Sequence, residues 1–298
     1  MKTSLITSIY GQRGQIRLIE ELIPAVAQTG IDAIEIFAEC NYGPKNRHAG
    51  LDISMAQIKK TRKLADKYKL KISSISAHFP LISPTPKLRR HYINEYKKCI
   101  DQAVVLGTDF VHGFSGDPDT RNPIVRDEER AWSIFREGCV EVLDYAKSRR
   151  VFFGIEPVIN HLVHGLKSCA RMFDVVGRDD LYINYDPSHL YLCGKASDPF
   201  VFIRKYAKRI KHVHIHDAFG AGVFNWRRYQ KTLDPIWTNF KAPGMGEIDL
   251  AKIVAELEKY GYDGYLSIEC IGSGYEIIDY ITWHYNRMIK QFLHGAKK

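Results

Sequence analysis

The chain has 298 residues, 45% hydrophobic and 26% charged, with 22 Gly and 12 Pro. Those proportions exclude a disordered, collagen-like or coiled-coil protein, and the length suits two medium domains or one large α/β barrel. Lys and Arg total 43 against 34 Asp and Glu, a net +9. The excess is spread over helix-like segments such as Lys59–Lys69, as on a solvated face.

In chain order, β-rich runs alternate with amphipathic ones. The first ten residues carry a short apolar run that reaches Gln12 and Arg13 without a small-residue cleavage site. They read as a first strand, Ser4–Tyr10, and not as a signal peptide. A helical run interrupted by Pro24 follows, where the missing N–H can kink it. Further strands are expected at Ala33–Phe37, Lys71–His78, Phe110–Phe114, Val151–Glu156, Tyr182–Asp186, Ile210–His216 and Tyr265–Glu269. Helices between them show apolar stripes at helical spacing: Ile93, Tyr96, Ile100 and Ala103; Trp132, Phe135, Cys139 and Val142; Leu250, Ile253, Val254 and Leu257. Asp249 is a plausible N-cap of the last of these and Gly261 its stop.

No stretch approaches the roughly 20 apolar residues of a membrane span. Cys40, Cys99, Cys139, Cys169, Cys193 and Cys270 are widely separated, with no CxxC pair, which fits reduced thiols in a cytoplasmic protein.

Eight strand–helix alternations, joined by right-handed crossovers, predict a single-domain (β/α)8 TIM barrel spanning 1–298. The rival open sheet usually carries a glycine-rich phosphate turn after its first strand, and Gly11-Gln12-Arg13-Gly14 does not fit GxGxxG.

In such a barrel the C-terminal strand ends face the active site. Here the last four strands end in Gly154-Ile155-Glu156, Asn184-Tyr185-Asp186, His212-Val213-His214-Ile215-His216 and Ser267-Ile268-Glu269. Strand parity puts Ile155, Val213, Ile215, Leu266 and Ile268 toward the helices, and Glu156, His212, His214, His216 and Glu269 inward. Two Glu, one Asp and one His then converge. Burying that negative charge uncompensated costs several kcal/mol per group. A divalent cation removes the cost, and this donor set suits Mn2+ first, with Mg2+ or Co2+ as alternatives.

Glu156 in Ile-Glu-Pro, Asp186 and His189 in Tyr-Asp-Pro-Ser-His-Leu, His214 in His-Val-His-Ile-His-Asp, Gly244-Met245-Gly246-Glu247-Ile248-Asp249, and Glu269 in Ser-Ile-Glu together resemble the xylose-isomerase-like TIM barrels. That superfamily holds tagatose/allulose 3-epimerases, hydroxypyruvate isomerase, inosose dehydratase and the type IV AP endonucleases. The resemblance runs from Ile34-Glu35 to the final helix. It implies that Glu156, Asp186, His214 and Glu269 ligate one metal, and that His189 holds substrate oxygens near it. It also implies that His78 and His112 line the substrate pocket, as they do in the sugar enzymes. Glu35, His216, Trp226 and Arg227 complete the expected substrate-contacting set.

The endonucleases place an Asp-x-His pair before the Gly-x-Gly segment to complete a three-metal cluster. Thr238-Asn239-Phe240 stands there in this chain and cannot ligate, so one metal and a sugar-like substrate are expected, with no nucleic-acid or membrane partner. The family's usual Lys is replaced by His216, and the epimerases' Arg by Gly220. The aromatic-rich segment 217–242 is long for a βα loop, which suggests a lid.

The expected reaction is isomerisation or epimerisation of a keto-sugar or polyol by proton transfer beside a carbonyl, with Glu156 and Glu269 as the acid/base pair. The alternative is a lyase or dehydratase on an inosose or 3-keto-glycoside that shares the first step, and behind it an endonuclease-like phosphodiesterase. Analogy with the family suggests a dimer or tetramer.

Overall fold

A computed structural model describes residues 1–8, 18–39, 47–83, 85–116, 127–224, 239–269 and 286–293. Its strands in chain order are β1 (Lys2–Ile6), β2 (Ala33–Glu39), β3 (Lys71–His78), β4 (Phe110–Gly113), β5 (Phe152–Ile155), β6 (Leu181–Tyr185), β7 (Ile210–Ile215), β8 (Asp217–Ala218), β9 (Phe240–Lys241) and β10 (Tyr265–Ile268). Eight of them close a parallel barrel in the order β1-β10-β7-β6-β5-β4-β3-β2, while β8 and β9 form a separate antiparallel pair. This is the (β/α)8 barrel the alternation predicts.

All eight expected barrel strands are present. The first differs most: it begins at Lys2, where the Lys2 N–H bonds to the Gly264 carbonyl and pairing with Tyr265 starts, and it ends at Ile6. Strand limits are set by how far the neighbouring strands extend, which one strand's own sequence does not carry. Ile9 and Tyr10 lie outside the described residues.

Local chemistry explains the helices that brace the barrel. Helix Pro86–Leu106 starts with the Thr85 side chain accepting from the Leu88 N–H and with Pro86 in the first turn, where no N–H partner is needed. It stops at Gly107, whose φ of 73° is left-handed and open to glycine. Asp249 caps helix Leu250–Lys259 by accepting from the Lys252 N–H. The three expected apolar stripes are buried against the strands, each large side chain contributing about 1.5–3 kcal/mol. Pro24 sits inside helix Ile19–Gln28.

Most βα barrels fill their interior with branched aliphatic layers. Here many inward positions are polar: Ser4, Glu35, Ser74, Ser76, His112, Asn184, His212, His214 and Ser267 are all buried, with Phe110 stacked on His112 and His212 among them. Two irregularities shape this column. The β2–β3 register slips between Ile34 and Glu35, and the β6–β7 register slips between Ile183 and Asn184. In each case the unpaired residue is on the later strand, Ser73 of β3 and Lys211 of β7, and such a bulge re-aims the side chains that follow it, here Ser74 and His212.

Cys99, Cys139 and Cys169 are buried free thiols, Cys193 is half-buried and free, and Cys40 and Cys270 fall outside the described residues. Among the described residues no helix is long and apolar enough to cross a membrane.

Candidate metal centre

Glu156 and Glu269 each stand one residue beyond the end of β5 and β10, Asp186 one beyond β6, and His214 is the penultimate residue of β7. Each offers a ligand atom, and those four atoms all lie within 4.8 Å of one another. His214 is central: its Nδ1 is 2.7 Å from Glu269 Oε2 and 3.4 Å from Glu156 Oε1. The Asn184 amide holds Glu156 in place, donating to Oε2 at 2.9 Å. Parity anticipates a meeting of inward strand-end residues, because consecutive strand ends of a closed barrel face one axis, and the resemblance implies these four among them.

The group fits a cation better than it fits itself. Asp186 Oδ2 is buried without a hydrogen-bond partner among the described residues, an arrangement that costs several kcal/mol for a charged group unless compensated. Three carboxylates and one imidazole form a hard, oxygen-rich set with a single borderline nitrogen, suited to Mn2+, Mg2+, Co2+ or Zn2+.

The electrostatics follow from proximity. Burial alone would raise the Glu156 carboxyl, but His214, His189 and His112 beside it hold it below the ordinary carboxylate range. Burial likewise works to raise Asp186, and His189 and His216 reverse it. Burial would lower His214, yet Glu269, Glu35 and Glu156 surround it and push it well above its usual value.

Beneath this group lies a second layer. Glu35 is fully buried, with His112 Nε2 at 2.6 Å, His214 Nε2 at 3.2 Å and the Ser267 hydroxyl donating at 2.5 Å. His212 bridges Asn184 Oδ1 at 3.0 Å and Ser74 Oγ at 3.3 Å, and its ring stacks on His112 at 5.6 Å. Glu35 is therefore not placed in the substrate pocket as expected. Alternation along β2, between Ile34 and Ile36, turns it into the barrel axis, where three neighbours engage its carboxylate. His112 is also fully buried, set between Glu35 and Glu156, with Nδ1 3.8 Å from Glu156 Oε2.

The other expected residues lie around the mouth. His189 Nδ1 accepts from the Ile159 N–H at 3.4 Å, which leaves Nε2 facing Glu156 Oε1 at 3.7 Å and Asp186 Oδ2 at 3.9 Å. His216 Nδ1 is 3.4 Å from Asp186 Oδ2. Phe240 packs between them, stacked on His216 and edge-on to His189, both at 4.8 Å. A position where the endonuclease pattern needs a ligand thus supplies an aromatic wall. His78 is half-buried against Phe37 and Phe114, with Nε2 2.5 Å from Ser76 Oγ. Trp226 and Arg227 lie outside the described residues, as does 225–238 of the expected lid.

Sequence reasoning assigned no role to Asp217. Its carboxylate, fully buried, accepts four backbone N–H groups: Ala218 at 2.8 Å, Gly244 at 3.0 Å, Gly246 at 2.9 Å and Ile248 at 3.1 Å. A Cβ on Gly246 would stand 2.2 Å from Asp217 Oδ1 and 2.4 Å from the Ala218 carbonyl oxygen. The Gly-Met-Gly segment is therefore a loop folded around one anion, and glycine is required where the backbone touches it. Asn184 and Ser267 were also missed; polar residues at inward strand positions were the available signal.

His78 and His161 are held neutral. Burial lowers them from 6.5 to about 4 and about 3 respectively. A histidine whose folded pKa is depressed contributes stability that is complete above its unfolded value and lost as pH falls toward the folded value. Thermal stability should accordingly decline from pH 6.5 toward pH 4, and replacing both residues by Gln should flatten that part of the Tm–pH curve. An unchanged slope in the double variant would assign acid sensitivity to other groups.

Residues 23–287 match the family model described as xylose isomerase-like TIM barrel, and the chain belongs to that family. It is 25% identical over 185 residues to an inosose dehydratase of Clostridium perfringens, covering 59% of this chain and 60% of that protein. The aligned region thus spans less than two thirds of that relative. Among solved structures, a D-tagatose 3-epimerase-like protein superposes with a TM-score of 0.74 at 20% identity, covering 100% of this chain and 98% of the other. The IOLI protein, solved with a bound zinc atom, superposes at 0.72 with 18% identity, over 99% and 98% of the two chains.

Proposed function

We propose that this protein is a divalent-metal-dependent enzyme that breaks a C–H bond beside the carbonyl of an inosose-like polyol or keto-sugar, with elimination of water as the favoured outcome. The observation that carries the reading is the meeting of Glu156, Asp186, His214 and Glu269 at four consecutive strand ends. The dehydratase relatives favour elimination over the epimerisation expected from sequence. The reading rests on a partial-length likeness for its substrate, and on the site for its chemistry.

Glu156, Asp186, His214 and Glu269 would hold the cation, which when bound stabilises the negative charge that develops on substrate oxygens as the proton leaves. One of the two glutamates takes that proton. His189, with Nδ1 already engaged by the Ile159 N–H, presents Nε2–H to a substrate oxygen. Phe240, with β8 and β9 behind it, walls the mouth and limits water. The outcome depends on where the second proton goes. Returned to the opposite face of the same carbon, it completes epimerisation; delivered to a hydroxyl on the adjacent carbon, it releases water and leaves a conjugated enone.

Mn2+-loaded protein should be incubated in D2O with 2-keto-myo-inositol, D-fructose, D-tagatose and a 3-keto-glucoside. Ultraviolet absorbance of a new enone from one of these is the expected result. Deuterium at the carbon beside the carbonyl without enone would shift the assignment to epimerisation. Neither signal from any compound, or full activity after exhaustive chelation, would overturn the proposal.

A further inference from the structure

We propose that Glu35 is a positioning residue, one that fixes which nitrogen of His214 faces the cation; the inference rests on the metal-dependent reading above. An imidazole ligates through an unprotonated nitrogen, and the partner of its other nitrogen determines which one that is. In His214 the two nitrogens have opposite surroundings. Nδ1 faces Glu156 and Glu269, at 3.4 and 2.7 Å. Nε2 faces both oxygens of Glu35, each at 3.2 Å. A carboxylate has no proton to donate, and Glu35 already accepts from the Ser267 hydroxyl at 2.5 Å, with His112 Nε2 at 2.6 Å. It therefore demands N–H from every neighbour, and the only proton His214 can give up without losing that bond is the one on Nδ1.

The same carboxylate ties His214 to two other elements. His112 Nε2 lies 2.6 Å from Oε1, and the Ser267 hydroxyl donates to Oε2 at 2.5 Å. Three donors from β4, β7 and β10 thus converge on a residue from β2. Glu35, His112, His212 and His214 also form a ligand-competent group, with atoms within 4.8 Å. Direct ligation of a second ion by Glu35 is therefore the competing role. The contacts favour positioning, since both oxygens are already engaged, Oε1 by His112 and His214 and Oε2 by Ser267 and His214.

Glu35→Gln tests the difference. A carboxamide accepts at one atom and donates at the other, so one donor must turn away or change tautomer. We expect the Kd for Zn2+, measured by competition with a chromophoric chelator, to rise about 10- to 100-fold, the usual cost of losing such a partner. In wild-type protein labelled with 15N-histidine and loaded with diamagnetic Zn2+, His214 should carry its proton on Nε2 and none on Nδ1. The resonance is assigned by its absence in His214→Asn. This measurement decides the matter even if Glu35→Gln fails to fold. Wild-type affinity in Glu35→Gln, a proton on Nδ1, or two zinc ions per chain would each overturn the proposal. Tight zinc binding with the expected His214 signal but no turnover would sink the proposed function alone, and a protein that binds no divalent ion would sink both.

Discussion

Glu269→Gln and Glu156→Gln are each expected to lower kcat by about 10²- to 10⁴-fold at saturating metal, the range typical of losing a general acid or base. Glutamine keeps the volume and one oxygen of each side chain while removing the charge and the capacity to accept a proton. Metal affinity should fall as well, so rates must be compared after titration to saturation with Mn2+. Thermal stability of the metal-free variants should also decline, because Glu269 and Glu156 face His214 Nδ1 at 2.7 and 3.4 Å, and removing one partner of a buried charged pair leaves the other uncompensated. A variant that stays folded, binds metal and does not turn over isolates the chemical role. Wild-type kcat in both variants would show that neither glutamate moves the proton.

The second large effect is one of stability. Asp217→Ala removes the acceptor of four backbone N–H groups at once. Hydrogen bonds to a charged group contribute about 1.5–3 kcal/mol each. The loop between Gly244 and Ile248 can rehydrate part of what it loses, so a net destabilisation of about 3–5 kcal/mol is expected. Urea denaturation should show a lower midpoint with an unchanged m value. Asp217→Asn, which keeps the shape and one acceptor, should lose less. A midpoint within error of wild type for Asp217→Ala would mean that the Gly-Met-Gly turn holds its shape without the anion. Phe240 and β9 are braced by this turn through β8, so loss of the carboxylate should also raise KM.

The different legibility of these two sites has a physical cause. The inward polar strand ends could be read directly because the side-chain period of a strand is two. Val213 and Ile215 announce the helix-facing side of β7 and put His212, His214 and His216 on the other, and the family resemblance singled out His214 with Glu156, Asp186 and Glu269. Asp217 follows the end of β7, where parity no longer applies. Three of its four partners lie 27 to 31 positions further along the chain, and nothing local marks them. Glu35 was expected in the substrate-contacting set; the engagement of its carboxylate by His112, His214 and Ser267 depends on how β2 faces β4, β7 and β10 across the barrel, a property of several strands together.

The sequence by itself determined the barrel, its eight strands and, with the family resemblance, the four residues at its mouth. The barrel and strands follow from a repeating local pattern: alternation along strands, stripes along helices, caps at their ends. Only the tertiary structure decided the polar column beneath the mouth, the burial of Glu35 and His112, the wall made by Phe240 and the anchoring by Asp217. Those depend on strand registers and on contacts between distant segments, where the free energy of burying and pairing polar groups selects an arrangement that no short window of sequence encodes.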